Sequence, residues 1–202
     1  MRVKTDDRRQ AIVSAALTVF RELGYERASM TEISAQVGGS KSTLYSYFKS
    51  KAELYAAAML ETTEEQKHQL LSRLNPSNAD MAEVLEGFGK ALLALITTPA
   101  VLAVTRTAMA EGATSHLGAL LYDRGPRGVW GEVAAYLARL MAAGAMRPGD
   151  PEIDALHFKG LLEAGILEPS LYGAVPRIGN EVGARRAVET FLRACGAEQK
   201  TP

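Results

Sequence analysis

The stretch from Ser40 to Lys51 gathers the side chains best suited to chemistry in this chain: Lys41, Ser42, Thr43, Tyr45, Ser46 and Lys51. Their chemistry is recognition. Hydroxyls bond phosphate oxygens or base edges, and a tyrosine ring packs on a thymine methyl. Helical geometry sorts them onto faces. At about 100° per residue, Leu44 and Phe48 lie roughly 40° apart and form a buried stripe. Ser42 and Ser46 then point roughly 160–200° away from Leu44, with Thr43 and Tyr45 beside them and Lys41 at the helix entrance. Lys51, opening the next helix, is placed to reach a phosphate. Catalytic patterns are missing from the sequence. It has no Gly-rich phosphate loop, no Gly-x-Ser-x-Gly and no Cys/His constellation. Cys195 is the single cysteine and His68, His116 and His157 are isolated. Neither a disulfide nor a structural zinc site is expected, and no cofactor is implied.

The neighbouring residues predict how this face is held. Ser29 and Glu32 have capping-box spacing, followed by Ile33 and Val37 on one side of a short helix. Gly38-Gly39 stops it, and Ser40 is an N-cap for the next, running to about Phe48. Two short helices about a tight glycine turn are the helix-turn-helix pattern, whose second helix enters the DNA major groove. The same pattern also suits the polar surface of an ordinary helical hairpin. Upstream, Ile12, Ala16, Val19, Phe20 and Leu23 fall at helical spacing. Asp7 and Gln10 form a possible capping box there, and Gly24 is placed to end that helix. Downstream, Ser50 caps a long helix predicted from Lys51 to Leu74.

The rest of the chain also reads as helices, with no alternating strand, repeat or low-complexity segment. Asn75-Pro76-Ser77-Asn78 breaks the chain. Helices are expected from Asp80 to about Thr97, from Thr98-Pro99 onward, over 115–124, from Val129 to Ala143, from Asp150-Pro151 through Leu162, and over 178–195. The expected fold is all-α with about nine to ten helices. A three-helix DNA-binding head over 1–52 precedes a larger helical body over 53–202.

The 202 residues carry 23 Lys/Arg and 23 Asp/Glu, so a uniformly basic, histone-like binder is excluded. Charge is unevenly spread. Residues 1–55 hold nine Lys/Arg against six Asp/Glu, a net +3, and the remainder is −3. That suits a nucleic-acid-binding head, although chance produces the same imbalance. Residues 1–9 are charged rather than an apolar signal core, and the uncharged run 91–105 contains Pro99 and is too short to span a membrane. A cytoplasmic protein with no membrane partner is expected.

The run Gly24-Tyr25, Ser29-Met30-Thr31-Glu32-Ile33, Gly38, Ser40, Thr43-Leu44-Tyr45, Tyr47-Phe48, Ser50-Lys51 and Glu53-Leu54 strongly resembles the TetR/AcrR family of bacterial repressors. Residues 150–162 are similar to the C-terminal domains of its AefR-like branch. Three positions depart from the family pattern. Ser34 stands for an alanine, Gly39 for a valine and Ser42 for a glycine. Losing the buried valine costs up to ~1.5–3 kcal/mol if its site stays unfilled. Ser42 adds a donor that can shift base preference.

The resemblance implies base or groove contacts from Lys41, Ser42, Thr43 and Tyr45, with Thr31 a weaker candidate, and phosphate contacts from Ser29, Tyr47 and Lys51. For Tyr45, partial burial against the first helix is the competing reading. The resemblance also implies a homodimer on a palindromic operator in double-stranded DNA, paired through about residues 151–168 and 178–195. Gly160, Gly165, Gly183, Ala184 and Ala187 would permit close helix approach there, although an intrachain core explains the same pattern. A cavity for a small apolar or aromatic ligand is expected among Phe88, Leu92, Leu95, Leu102, Thr105, Met109, Trp130, Val133, Leu137, His157 and Phe158; for each of them singly, plain core packing is the stronger reading. The function implied is a DNA-binding repressor released by such a ligand, through a shift of the long helix from Lys51. The alternatives are a regulator without a small-molecule ligand, a helical interaction module and, last, an enzyme on a helical scaffold.

Overall fold

A computed structural model describes residues 2–75 and 80–195, with side chains from residue 6 onward. Among the described residues there are twelve helices and no β-strand. They are α1 (Arg2–Arg27), α2 (Met30–Val37), α3 (Lys41–Tyr47), α4 (Lys51–Glu61), α5 (Glu64–Leu71), α6 (Met81–Ile96), α7 (Pro99–Glu111), α8 (Leu117–Arg124), α9 (Pro126–Ala142), α10 (Pro151–Glu163), α11 (Leu167–Leu171) and α12 (Asn180–Cys195). The predicted break at Pro76-Ser77-Asn78 lies outside the described residues. No single helix among them is long and apolar enough to cross a membrane.

Capping residues explain most of the boundaries. Ser29 and Glu32 form the expected capping box at α2. Ser40, Ser50 and Asp80 each accept from the backbone N–H three residues on, at 3.1, 3.1 and 3.0 Å. Asp150 accepts from Glu152 and Ile153. Each bond satisfies an N–H that the first helical turn would leave orphaned. Gly24 has φ 76° and ψ 170°, a region open to glycine, and bends the end of α1. Gly38 ends α2 in the left-handed region at φ 68°.

The structure departs from the sequence reading in four places. α1 begins well before Asp7, so Asp7 and Gln10 lie inside a helix rather than capping one. The long helix expected from Lys51 to Leu74 stops at Glu61 and restarts as α5. There Thr62 and Thr63 turn their hydroxyls back onto the carbonyls of Met59 and Leu60, at 2.7 and 3.0 Å. These bonds compete with the helical ladder, and two successive β-branched residues weaken it further. α9 begins at Pro126, where the missing N–H is one the first turn leaves unpaired anyway. The short α11 has no side-chain N-cap to announce it.

The chain forms two compact units. One comprises residues 2–64 and 107–124. In it α1 packs on α2 and α4, and α4 on α8. Ile12, Val13, Ala16, Val19, Phe20, Ile33, Leu44, Phe48 and Leu54 are buried there, and Leu23 is half-buried. Rings of Phe20, Tyr25 and Tyr55 meet edge-on or stacked.

The other unit comprises residues 65–106 and 125–195. Here α6 packs on α12, and α10 packs on both α9 and α12. Close approach needs small residues. A Cβ on Gly89 would stand 3.3 Å from Cβ of Ala184 and 2.7 Å from Cδ2 of Leu162. A Cβ on Gly183 would collide with Ile166. Gly183, Ala184 and Ala187 are therefore buried within the chain, and the intrachain alternative holds for them. Gly160 and Gly165 remain exposed.

Candidate nucleic-acid interface

α2 and α3 present the predicted face. Leu44 and Phe48 are each 2% exposed and anchor α3 to the core. Lys41, Ser42, Tyr45 and Ser46 are exposed on its other side, while Thr43 and Tyr47 are half-buried. Tyr45 keeps 43% of its surface free. On α2, Thr31 is exposed and Ser29 is half-buried, engaged with Glu32.

The hydroxyls form a small network around the α3 cap. Ser40 Oγ accepts from Thr43 N–H and lies 2.8 Å from both Ser42 Oγ and Thr43 Oγ1. Ser40 has one lone pair and one proton left after capping. So one of Ser42 and Thr43 donates to Ser40 and the other accepts from it. The acceptor keeps its own proton free for an incoming oxygen. Ser46 instead donates to Thr43 O at 2.6 Å, inside the helix.

Lys51 has backbone partners that its sequence position does not announce. Its Nζ donates to the carbonyls of Tyr25, Glu26 and Ala28, at 2.8, 3.2 and 3.3 Å. It also stands 4.3 Å from the Tyr25 ring centre. An ammonium has three protons, so all three have acceptors where the bent end of α1 leaves carbonyls free. Nearby, Glu26 is held above the usual carboxylate range. A hydrogen bond to Glu111 is the main cause, followed by the Glu111 charge and desolvation, with Lys51 opposing. Burial likewise raises the Tyr25 and Tyr55 phenols.

Arg8 was not singled out by sequence. Its Nη2 donates to Gly38 O at 3.5 Å and sits beside Gly39 in the turn. The adjoining Arg9 guanidinium lies 5.2 Å from the Phe48 ring centre. The only sequence signal for Arg8 was the missing side chain at position 39.

In the second unit the structure brings together Phe88, Leu92, Trp130, Val133, Leu137 and Phe158 in one core cluster, with Leu95 packed against it. Phe88–Trp130 and Trp130–Phe158 are edge-on pairs with centroids 6.1 and 6.4 Å apart. Leu102 is buried outside that cluster. Thr105 is half-buried and donates to Val101 O. His157 is exposed. Met109 is 66% exposed and belongs to the other unit. The periodicity that selected those two residues does not say which helix face is buried.

Residues 12–58 match the family described as bacterial regulatory proteins, tetR family, and residues 83–197 match the AefR-like transcriptional repressor C-terminal domain. The activator FasR of Mycolicibacterium smegmatis is 45% identical over 58 residues, 29% of this chain; the chain spans about a quarter (26%) of that relative. The regulator YhgD of Bacillus subtilis is 24% identical over 74% of this chain and 77% of its own. The nicotine-responsive repressor HdnoR of Paenarthrobacter nicotinovorans is 39% identical over 30% of this chain and 31% of its own. Among solved structures, a TetR-family regulator from Mesorhizobium loti superposes with TM-score 0.80 at 25% identity, covering 95% of this chain and 98% of its own. The flavonoid-responsive regulator FrrA superposes with TM-score 0.77 at 25% identity, covering 96% and 99%.

Proposed function

Because the chain belongs to the TetR family of bacterial transcriptional regulators, with an AefR-like C-terminal domain, we propose that it is a homodimeric repressor released from a palindromic operator by a small, mainly apolar ligand. Membership of that family makes it a DNA-binding regulator rather than an enzyme. The observation that carries the finer reading is α3, with Leu44 and Phe48 buried behind it and Lys41, Ser42 and Tyr45 exposed in front. We assign base or groove contacts to Lys41, Ser42, Thr43 and Tyr45, with Thr31 beside them. Ser29 and Tyr47 take phosphates, and Lys51 adds its charge from the end of α1. The DNA-binding domain is assigned to 1–52 and the ligand-binding and dimerisation domain to 53–202, acting in the cytoplasm.

The sign of regulation follows the body. The head is similar to that of an activator by name, FasR, and of a repressor by name, HdnoR, so the head does not set it. The AefR-like domain is described as a repressor's. Dimerisation is assigned to α10 and α12, where Ile153, Leu156, Ile178 and Val182 near or on these helices leave apolar surface exposed. An aromatic ligand suits the Phe88–Trp130–Phe158 cluster, and two relatives are named for responses to nicotine and to flavonoids. Because α4 ends at Glu61, we assign transmission of the ligand effect to α7, which is continuous from Pro99 to Glu111. A ligand acts only through its affinity difference between two states.

The test is selection from random duplex DNA by purified protein at fixed moderate salt, since phosphate contacts dominate affinity. The expected product is a palindrome with half-sites about 34–36 Å apart or further. Recovery of no preferred sequence by folded, dimeric protein refutes the operator reading and leaves a helical interaction module. A recovered operator that no small molecule releases leaves a regulator without a ligand.

A further inference from the structure

α9 buries a broad face: Val129, Trp130, Val133, Ala134, Tyr136, Leu137 and Leu140. Tyr136 lies at one margin of that arc and is nevertheless fully buried, at 0% exposure. It is the one residue of the core cluster whose side chain carries oxygen. That hydroxyl has no hydrogen-bond partner, and it is the only such buried side-chain polar atom among the described residues. The adjoining Arg139 faces the ring, 6.0 Å from its centre.

A phenylalanine would fill the same space without desolvating a hydroxyl. A buried hydroxyl left unpaired opposes folding. Burial also raises the phenol above its usual range, so near neutral pH it stays protonated and can both donate and accept.

We infer that the Tyr136 hydroxyl is the polar anchor of the ligand site in the body, pairing with one oxygen of a neutral, otherwise apolar molecule. This rests on the ligand-binding reading above and specifies it. Neutrality follows from the surroundings. The Arg139 guanidinium beside the ring is exposed to solvent, among the described residues no cation is buried, and the one buried charged side chain is Asp154, in the same unit. A carboxylate ligand entering this core would lose its hydration with no buried cation to offset it. A hydroxyl or carbonyl pays only for one hydrogen bond, which Tyr136 supplies.

The experiment uses full-length protein, its Tyr136→Phe variant, and two probes of one shape, 2-naphthol and 2-methylnaphthalene, titrated by calorimetry. The expected result is that the ratio of naphthol to methylnaphthalene affinity falls by about tenfold in the variant, the size of one hydrogen bond. Without ligand, the variant should melt at or above the wild-type temperature. An unchanged ratio, no binding of either probe, or a variant that melts lower because its hydroxyl was paired all along each overturn the assignment. Operator selection with the variant separates the two readings. A recovered operator that some ligand still releases, with the probe ratio unchanged, leaves the ligand-responsive repressor standing and removes only Tyr136.

Discussion

The Arg8 guanidinium occupies the space beside Gly39, its Nη2 2.6 Å from where a β-carbon on that glycine would stand. The turn between α2 and α3 thus lacks a side chain of its own and has one supplied from α1. Ile12, Val37 and Leu44 line the same recess. A basic group takes the place where the family pattern has an apolar one, next to the Ser40 cap.

Replacing Gly39 by valine should therefore displace only the flexible end of Arg8. The variant should be more stable by about 0.5–1.5 kcal/mol, from reduced unfolded-chain entropy and added apolar burial. Arg8→Ala should weaken the wild-type turn and have little further effect in the Gly39→Val background. A double-mutant cycle of denaturant midpoints measures that coupling; strict additivity would contradict the contact.

Lys51→Ala should destabilise the protein by about 1–3 kcal/mol, because three carbonyls at the end of α1 lose a charged donor. Its effect on operator binding should be indirect. The slope of log affinity against log salt should fall by less than the roughly 0.9 that a direct phosphate contact contributes. A full fall with unchanged stability would place the ammonium on DNA.

Lys41→Ala should cost about 1–3 kcal/mol at one operator position and, because a cation is lost, also lower the salt slope. Tyr45→Ala should cost about 1–3 kcal/mol at another operator position, relaxing specificity there without changing the salt slope. Tyr45 is exposed and Lys41 opens α3 without a cap role, so both variants should keep the wild-type melting temperature. Anisotropy titrations over a salt series and a set of operator variants distinguish the two effects.

Glu26 and Glu111 make stability depend on pH. A raised carboxyl pKa means that the folded protein holds this proton more tightly than the unfolded chain. The resulting stabilisation is complete below the ordinary glutamate pKa and is lost as pH rises through the raised value. Repulsion from the Glu111 charge is one of the causes that raise the Glu26 carboxyl. Glu111→Gln should then melt above wild type near pH 7, and the gap should close on acidification towards pH 4. A gap constant with pH would show that the pair is not coupled.

Leu156→Glu should yield monomers by sedimentation, since Leu156 is 51% exposed on α10 between Ile153 and Gly160. Its helix should be unaffected, as the side chain leaves the chain's own core undisturbed. A variant that remains dimeric would move the interface elsewhere.

What the sequence determined by itself was local. Ser29 with Glu32, Ser40 with Thr43, and Ser50 with Glu53 are three residues apart, and each bond closes within one helical turn. Spacing alone therefore places α2, α3 and α4 and turns Leu44 and Phe48 to one side. Only the tertiary structure decided which distant groups meet. Lys51 reaches carbonyls 23 to 26 residues away, and Arg8 crosses 30 residues to Gly38. Ala184 and Gly183 lie in α12 against Gly89 and Ile166, where the sequence pointed first to a partner subunit. Helical periodicity identifies an apolar stripe but not what covers it. That depends on how helices pack, and packing is also what left the Tyr136 hydroxyl buried without a partner.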